Sequence, residues 1–369
     1  MIRNNFFYFF FFILLIFVIF ILDIKSYYSR LILGDKQKVQ YLEVSVKTPE
    51  YNFYQKLGQM FMIVPNGAEL SLEEIKLLRK GEIGGFFLLE KNIKNEEQVK
   101  QLVEDIHRQA TYSGIVPFVA VDQEGGQVCR IPWLDCAAQA AVKNEQQAFA
   151  LVSQRAKDLK KLGFNMVFAP VIEKGINPDS FIVKQQRAFS DNEINLALSM
   201  ITAYNNVDLY PVVKHLPTGL AKISTDPHLT LPKIDDNKLI FLEDLSDAEE
   251  ILARAKILMV THLLYPQIDR NPTSASSVFL QDYLRQRLNY QGLIMIDDLS
   301  MGAIRENYDL AEFSKQSILA GADLLLVSDQ NDFTKINDYF LQATISAKLQ
   351  ERVTESFDKI MEAKKRFRN

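Results

Sequence analysis

The chain has 369 residues, of which 48% are hydrophobic and 24% charged, with a formal net charge of −4. That usage excludes a disordered chain and lacks the basic excess of a nucleic-acid-binding domain. The two cysteines, Cys129 and Cys136, are too few for a disulfide scaffold or a cysteine-rich zinc site.

The first predicted element is residues 6–22, FFYFFFFILLIFVIFIL, 17 consecutive apolar residues holding 8 of the 25 phenylalanines. As a helix they span about 26 Å, near the lower limit for crossing a bilayer, and no polar stripe would face water. The following DIKSYYSRLILGDK has no small-x-small cleavage site, and no cysteine follows the run for lipid attachment. Residues 1–22 are therefore expected to be an uncleaved membrane anchor, with a cleaved secretory signal as the alternative. Tyr27 and Tyr28 suit the membrane interface. Lys25, Arg30, Lys36 and Lys38 would hold the following domain in the cytoplasm, whereas a short tail before a signal-like segment favours export; the expectation leans to the extracytoplasmic side. Residues 23–50 read as a polar tether.

From residue 51 to residue 369, short apolar runs alternate with amphipathic stretches. Strands are predicted at Met60–Val64, Gly85–Leu89, Phe118–Val121, Met166–Phe168, Tyr210–Val213, Ile257–Val260, Leu293–Ile296 and Leu324–Val327. Helices are predicted at Leu70–Arg79, Glu96–Ala110, Gln146–Leu162, Glu193–Tyr204, Asp247–Ala255, Ser276–Arg287, Leu310–Ala320 and Ile336–Arg366. Alternation implies parallel βαβ units, and continuous apolar strands imply burial on both faces. The count predicts one α/β domain, a closed (β/α)8 barrel of the TIM type; an open doubly wound sheet is the alternative. Cys136, in an apolar run, is expected to be a buried thiol rather than half of a redox pair.

In such a barrel, chemistry sits at the C-terminal strand ends. The third strand is followed by Asp122-Gln123-Glu124-Gly125-Gly126, the fifth by Lys214-His215, the sixth by Thr261-His262 and the seventh by Asp297-Asp298. Of the four histidines, only His107 falls on a predicted helix. The loop KHLPTGLAKISTDPHLTLP, broken by Pro217, Gly219 and Pro227, is not a helix. Within it the Asp226-x-His228 spacing lets a carboxylate orient an imidazole; an Asx-turn with a solvent-exposed His228 is the competing reading. Asp297 is placed to be a nucleophile or an electrostatic stabiliser, held ionised by Lys214 and Arg187, while Asp298 is expected to cap the next segment. A metal site made of His215, His262 and Asp297 is a weaker alternative. Phosphate-loop, dinucleotide, serine-elbow and H-E-x-x-H motifs are absent from the sequence.

At these residues the sequence resembles the bacterial β-N-acetylglucosaminidases of glycoside hydrolase family 3, the short single-barrel type. The likeness runs from about Gln55 to about Val327 through GEIGGFFLL, PFVAVDQEGGQVCRI, GFNMVFAPVIE, QRAFSDN, VVKHLP, the D-P-H loop, MVTHLLYPQID, LIMIDDLSMGAI and AGADLLLV. The resemblance implies a retaining glycosidase acting on terminal N-acetylglucosamine of peptidoglycan fragments, with no cofactor and no metal. It implies Asp297 as nucleophile, His228 as acid/base on a mobile loop with Asp226 as its partner, and Asp122, Arg130, Arg187, Lys214 and His215 as residues that hold the terminal sugar. KHLPTGL departs from the family's usual K-H-F-P-G-H-G, Gln127 stands for a usual arginine and Cys129 for a usual glutamine. The expected partners are the carbohydrate and, through residues 6–22, the membrane, with no nucleic acid and a monomeric chain. A β-glucosidase or phosphorylase of the same family and an inactive, membrane-tethered sugar-binding homologue are the rivals.

Overall fold

In a computed structural model, which describes residues 50–189 and 193–367, eight parallel strands close on one another. They are β1 (Phe61–Ile63), β2 (Gly85–Leu88), β3 (Phe118–Val121), β4 (Met166–Val167), β5 (Tyr210–Leu216), β6 (Ile257–Val260), β7 (Leu293–Ile296) and β8 (Leu324–Val327). Each pairs with its neighbours in sequence, and β1 returns to β8, with Phe61 opposite Leu325 and Ile63 opposite Val327. This closure makes the sheet a (β/α)8 barrel rather than an open, doubly wound one. The predicted anchor and tether lie outside the described residues. Among the described residues no helix is long and apolar enough to cross a membrane.

The strands are short, wholly buried runs such as FVAV, ILMV, LIMI and LLLV, packed between the barrel interior and the surrounding helices. One strand departs from the predicted bounds in a way that matters. β5 continues through Leu216, and its pairing with β6 shifts register between Lys214 and Leu216. Adjacent residues of a regular strand point to opposite faces. The irregularity breaks that alternation, and Lys214 and His215 both line one cavity.

Helices begin where side chains cap them. Asn95 accepts the Gln98 N–H ahead of the helix Glu96–Ala110, whose first-turn acids suit the positive end. Val99, Leu102, Val103, Ile106 and Ala110 form its buried face. The predicted Ile336–Arg366 helix is two, Gln330–Gln342 and Ala347–Lys364, because Ser346 accepts the Leu349 N–H and starts a new one. Asp247–Ala255 is likewise replaced by Lys238–Asp247 and Glu249–Arg254. Val278–Arg287 has π-type hydrogen bonding.

The last helix closes the N-terminal mouth of the barrel. Lys364 is fully buried; its Nζ donates to Gln59 Oε1 at 2.6 Å and to the Gly84 carbonyl at 2.7 Å, and it lies 4.7 Å from the Phe118 ring centroid. A buried ammonium needs such acceptors. Nearby, the buried Asp323 accepts from Arg285, Arg352, Ser356 and the Ile294 amide. Burial would raise its pKa, but Arg285, Arg352 and Lys359 outweigh it and hold the carboxyl below its ordinary range. Charge at this end of the barrel serves the fold.

The cysteines differ from expectation. Cys129 and Cys136 are joined in a disulfide, with Cα atoms 5.7 Å apart, and Cys136 is only half-buried. After β3 the chain makes a small antiparallel hairpin, Gln123–Gly125 with Val128–Cys129, and folds back. That return brings the two thiols together, which an apolar run alone does not indicate.

Candidate active site

A cavity of about 490 Å³ opens at the C-terminal ends of the strands. Asp122, Arg130, Arg187, Lys214, His215, His228 and Asp297 all line it. Asp226 reaches it only through His228.

The floor is a cluster of fixed charges. Lys214 Nζ lies 2.6 Å from Asp122 Oδ1 and 2.6 Å from Glu124 Oε1. Glu124, which the sequence reading passed over, also accepts a forked pair from Arg187, Nε at 2.7 Å and Nη2 at 3.0 Å. Arg130 Nη2 is 3.9 Å from Asp122 Oδ2, and its Nη1 pairs with Glu90. Burial would raise the Asp122 pKa, but Lys214 and Arg130 hold it below the usual carboxylate range. Burial would likewise lower Lys214, yet Asp122 and Glu124 raise it above the ordinary lysine value. His215 is driven the other way: burial first, then Lys214 and Arg187, push it well below the ordinary histidine value. It is a neutral ring at neutral pH, able to exchange one hydrogen bond with a hydroxyl. The missed signal for Glu124 was its position two residues after Asp122, since both carboxylates meet the same Lys214 ammonium.

Asp297 stands at the end of β7. Its Oδ2 accepts from Thr261 Oγ1 at 3.2 Å, and its Oδ1 accepts the Asp298 amide at 2.9 Å. Lys214 and Arg187, the cations expected to serve Asp297, have Asp122 and Glu124 as their direct partners, and Arg187 also interacts electrostatically with Asp297. Asp298 has the capping role expected of it: Oδ1 accepts the Ser300 amide at 3.0 Å and the Ser328 amide at 2.9 Å, tying the end of β7 to the end of β8. His262 is buried with both ring nitrogens occupied, Nδ1 by Ser274 Oγ at 2.7 Å and Nε2 by the Asp298 carbonyl at 3.1 Å. It has no free nitrogen for a metal, and no cluster of three or more His, Cys, Asp or Glu side chains that could hold one occurs among the described residues.

The D-x-H loop combines both of its readings. Asp226 Oδ1 accepts the His228 backbone N–H at 2.9 Å, which is an Asx-turn, and lies 2.6 Å from His228 Nδ1. The imidazole side chain is 61% exposed and stands edge-on to Phe181 at 6.3 Å between centroids. With Nδ1 engaged, proton exchange with a ligand falls to Nε2.

The start of the same loop is held by Glu173, which is buried beyond the end of β4. It accepts the Leu220 and Ala221 amides at 3.4 and 3.1 Å. Burial raises its pKa from 4.5 to about 7, against the opposing pull of these amides and Arg187. A raised carboxyl pKa stabilises the fold below the unfolded value, and the contribution is lost as pH rises through the folded value. The stability of Glu173→Gln relative to the parent should therefore rise by at most about 3 kcal/mol between pH 5 and pH 8. Thermal melts at the two pH values test this; an equal difference at both would refute it.

The comparisons with known proteins agree with this geometry. A family model described as the N-terminal domain of glycosyl hydrolase family 3 matches residues 53–363. A β-hexosaminidase of Haemophilus influenzae is 31% identical over 281 residues, covering 72% of this chain and 78% of that protein. One from Psychromonas ingrahamii is 32% identical over 289 residues, covering 74% and 83%. A solved family 3 β-N-acetylglucosaminidase from a Paenibacillus species superposes with a TM-score of 0.77 at 25% identity, over 87% of this chain and 64% of that one, so the chain spans just under two thirds of that protein. Since the family match runs from the helix before β1 to the helix that closes the barrel, the chain belongs to glycosyl hydrolase family 3 and is a glycoside hydrolase.

Proposed function

We propose that the protein is a retaining β-N-acetylglucosaminidase that removes terminal N-acetylglucosamine from peptidoglycan fragments by double displacement. The observation that carries the reading is one cavity bearing both a strand-end carboxylate, Asp297, and an imidazole, His228, oriented by Asp226. Glycoside cleavage needs a group that attacks or stabilises the anomeric carbon and a group that protonates the leaving oxygen. Asp297 attacks and forms the glycosyl-enzyme; His228 gives its Nε2 proton to the departing oxygen. Neutral His228 then takes a proton from water, which attacks the anomeric carbon and releases Asp297. Asp122, Arg130, Arg187, Lys214 and His215 grip the hydroxyls of the terminal sugar. The β-hexosaminidase relatives support the substrate class.

The test is hydrolysis of 4-nitrophenyl β-N-acetylglucosaminide by the full chain in detergent. Release of nitrophenol at a rate unaffected by added phosphate is expected. A rate that needs phosphate would make the protein a phosphorylase, and sugar binding without hydrolysis would make it the inactive homologue.

Two features support an extracytoplasmic, membrane-held domain: the apolar residues 6–22 and the Cys129–Cys136 disulfide, a bond that persists in oxidising compartments. A membrane-impermeant amine label added to intact cells should modify the barrel; labelling only after lysis would put it in the cytoplasm.

A further inference from the structure

The acid/base loop does not hang free. The carbonyl of His228 accepts the Gly302 N–H at 3.0 Å, and the carbonyl of Pro227 accepts the Ala303 N–H at 3.0 Å. Gly302 and Ala303 open the short helix Gly302–Arg305. The first amides of a helix have no partner inside it, so these two depend on the loop. Ala303 is buried, and an N–H left unpaired there is costly.

Gly302 also has no room for a side chain. A Cβ built on it would lie 2.5 Å from the Leu229 carbonyl oxygen and 2.7 Å from that of His228. Both obstacles are backbone atoms of the loop, so the loop itself would have to move. Upstream, Asp298 bolts the segment leading from Asp297 to Gly302 onto the Ser300 and Ser328 amides.

We propose that Gly302 is a positioning residue for catalysis: the Met301–Ala303 turn, fixed by Asp298 just downstream of Asp297, docks the carbonyls of Pro227 and His228 and so sets the acid/base imidazole relative to the nucleophile. This rests on the roles given above to Asp297 and His228. The turn acts as a spacer between the two reacting groups, and the missing side chain at position 302 lets the loop seat at hydrogen-bonding distance.

Two measurements test it. In the native full chain, the Gly302 and Ala303 amides should exchange hydrogen far more slowly than in a free peptide. Exchange at free-peptide rates would overturn the docking without any variant. Gly302→Ala should then lower kcat roughly 10²-fold on a methyl β-N-acetylglucosaminide, the cost of a misplaced catalytic group. On a 2,4-dinitrophenyl glycoside, whose leaving group needs no proton, kcat/KM, which reports the glycosylation step alone, should stay within about threefold. Unchanged rates on both substrates, or an equal loss on both, would overturn the positioning role. His228→Ala assayed alongside separates the two ideas: if it shows no leaving-group dependence, the acid assignment fails, while amide exchange still reports the docking.

Discussion

Asp297→Ala is expected to reduce turnover by roughly 10⁴- to 10⁶-fold, the scale seen when a covalent nucleophile is removed. The fold should survive. Asp297 is half-buried and its carboxylate makes two hydrogen bonds, to Thr261 and to the Asp298 amide, each worth about 1 kcal/mol. The cationic floor is satisfied by Asp122 and Glu124, so removing Asp297 leaves no cation without its closest partner. The discriminating arm is rescue. Azide is small enough to enter the vacated space and can attack a dinitrophenyl glycoside whose leaving group departs unaided. The expected product is the α-glycosyl azide, inverted because one displacement replaces two. A variant that retains more than a few per cent of activity, or that gives no azide product while still folded, would remove Asp297 from the nucleophile position.

His228→Ala is expected to slow substrates in proportion to how poorly their leaving groups depart. General acid catalysis contributes about 10²- to 10⁴-fold, so alkyl glycosides should lose that much and dinitrophenyl glycosides far less at the glycosylation step. Asp226→Asn should follow in the same direction with a smaller effect. It retains the oxygen that accepts the His228 N–H but weakens the charge-assisted contact with Nδ1. An equal slowing of both substrate classes by His228→Ala would mean that the imidazole binds sugar rather than moving a proton.

Much of this was legible in the sequence because the barrel writes itself as buried apolar runs. FVAV, ILMV, LIMI and LLLV each form a strand at the predicted residues, and polar residues that follow FVAV, LIMI and LLLV line one cavity, whereas Thr261 and His262 after ILMV are buried and do not line it. What was not legible has physical reasons. The Lys214–His215 pair shares a cavity only because the pairing of β5 slips, and no periodicity signals a slip. The disulfide depends on the path of the loop after β3, which residue type does not fix. Glu124 was hidden beside Asp122, a more conspicuous acid at the strand end. Gly302 contributes through the absence of atoms, and its importance appears only when His228 and Leu229 are seen pressed against it. The Ile336–Arg366 pattern kept helical period across a break that a single serine cap decides.

The plug at the N-terminal mouth bears on how the molecule is made. β1 cannot complete its pairing until β8 exists, and Gln59 and Gly84 wait for Lys364, 280 or more residues later in the chain. The interior therefore stays open until the final helix has left the ribosome. Nascent chains stalled before residue 364 should accordingly remain protease-sensitive throughout the barrel, with resistance arriving in one step at full length.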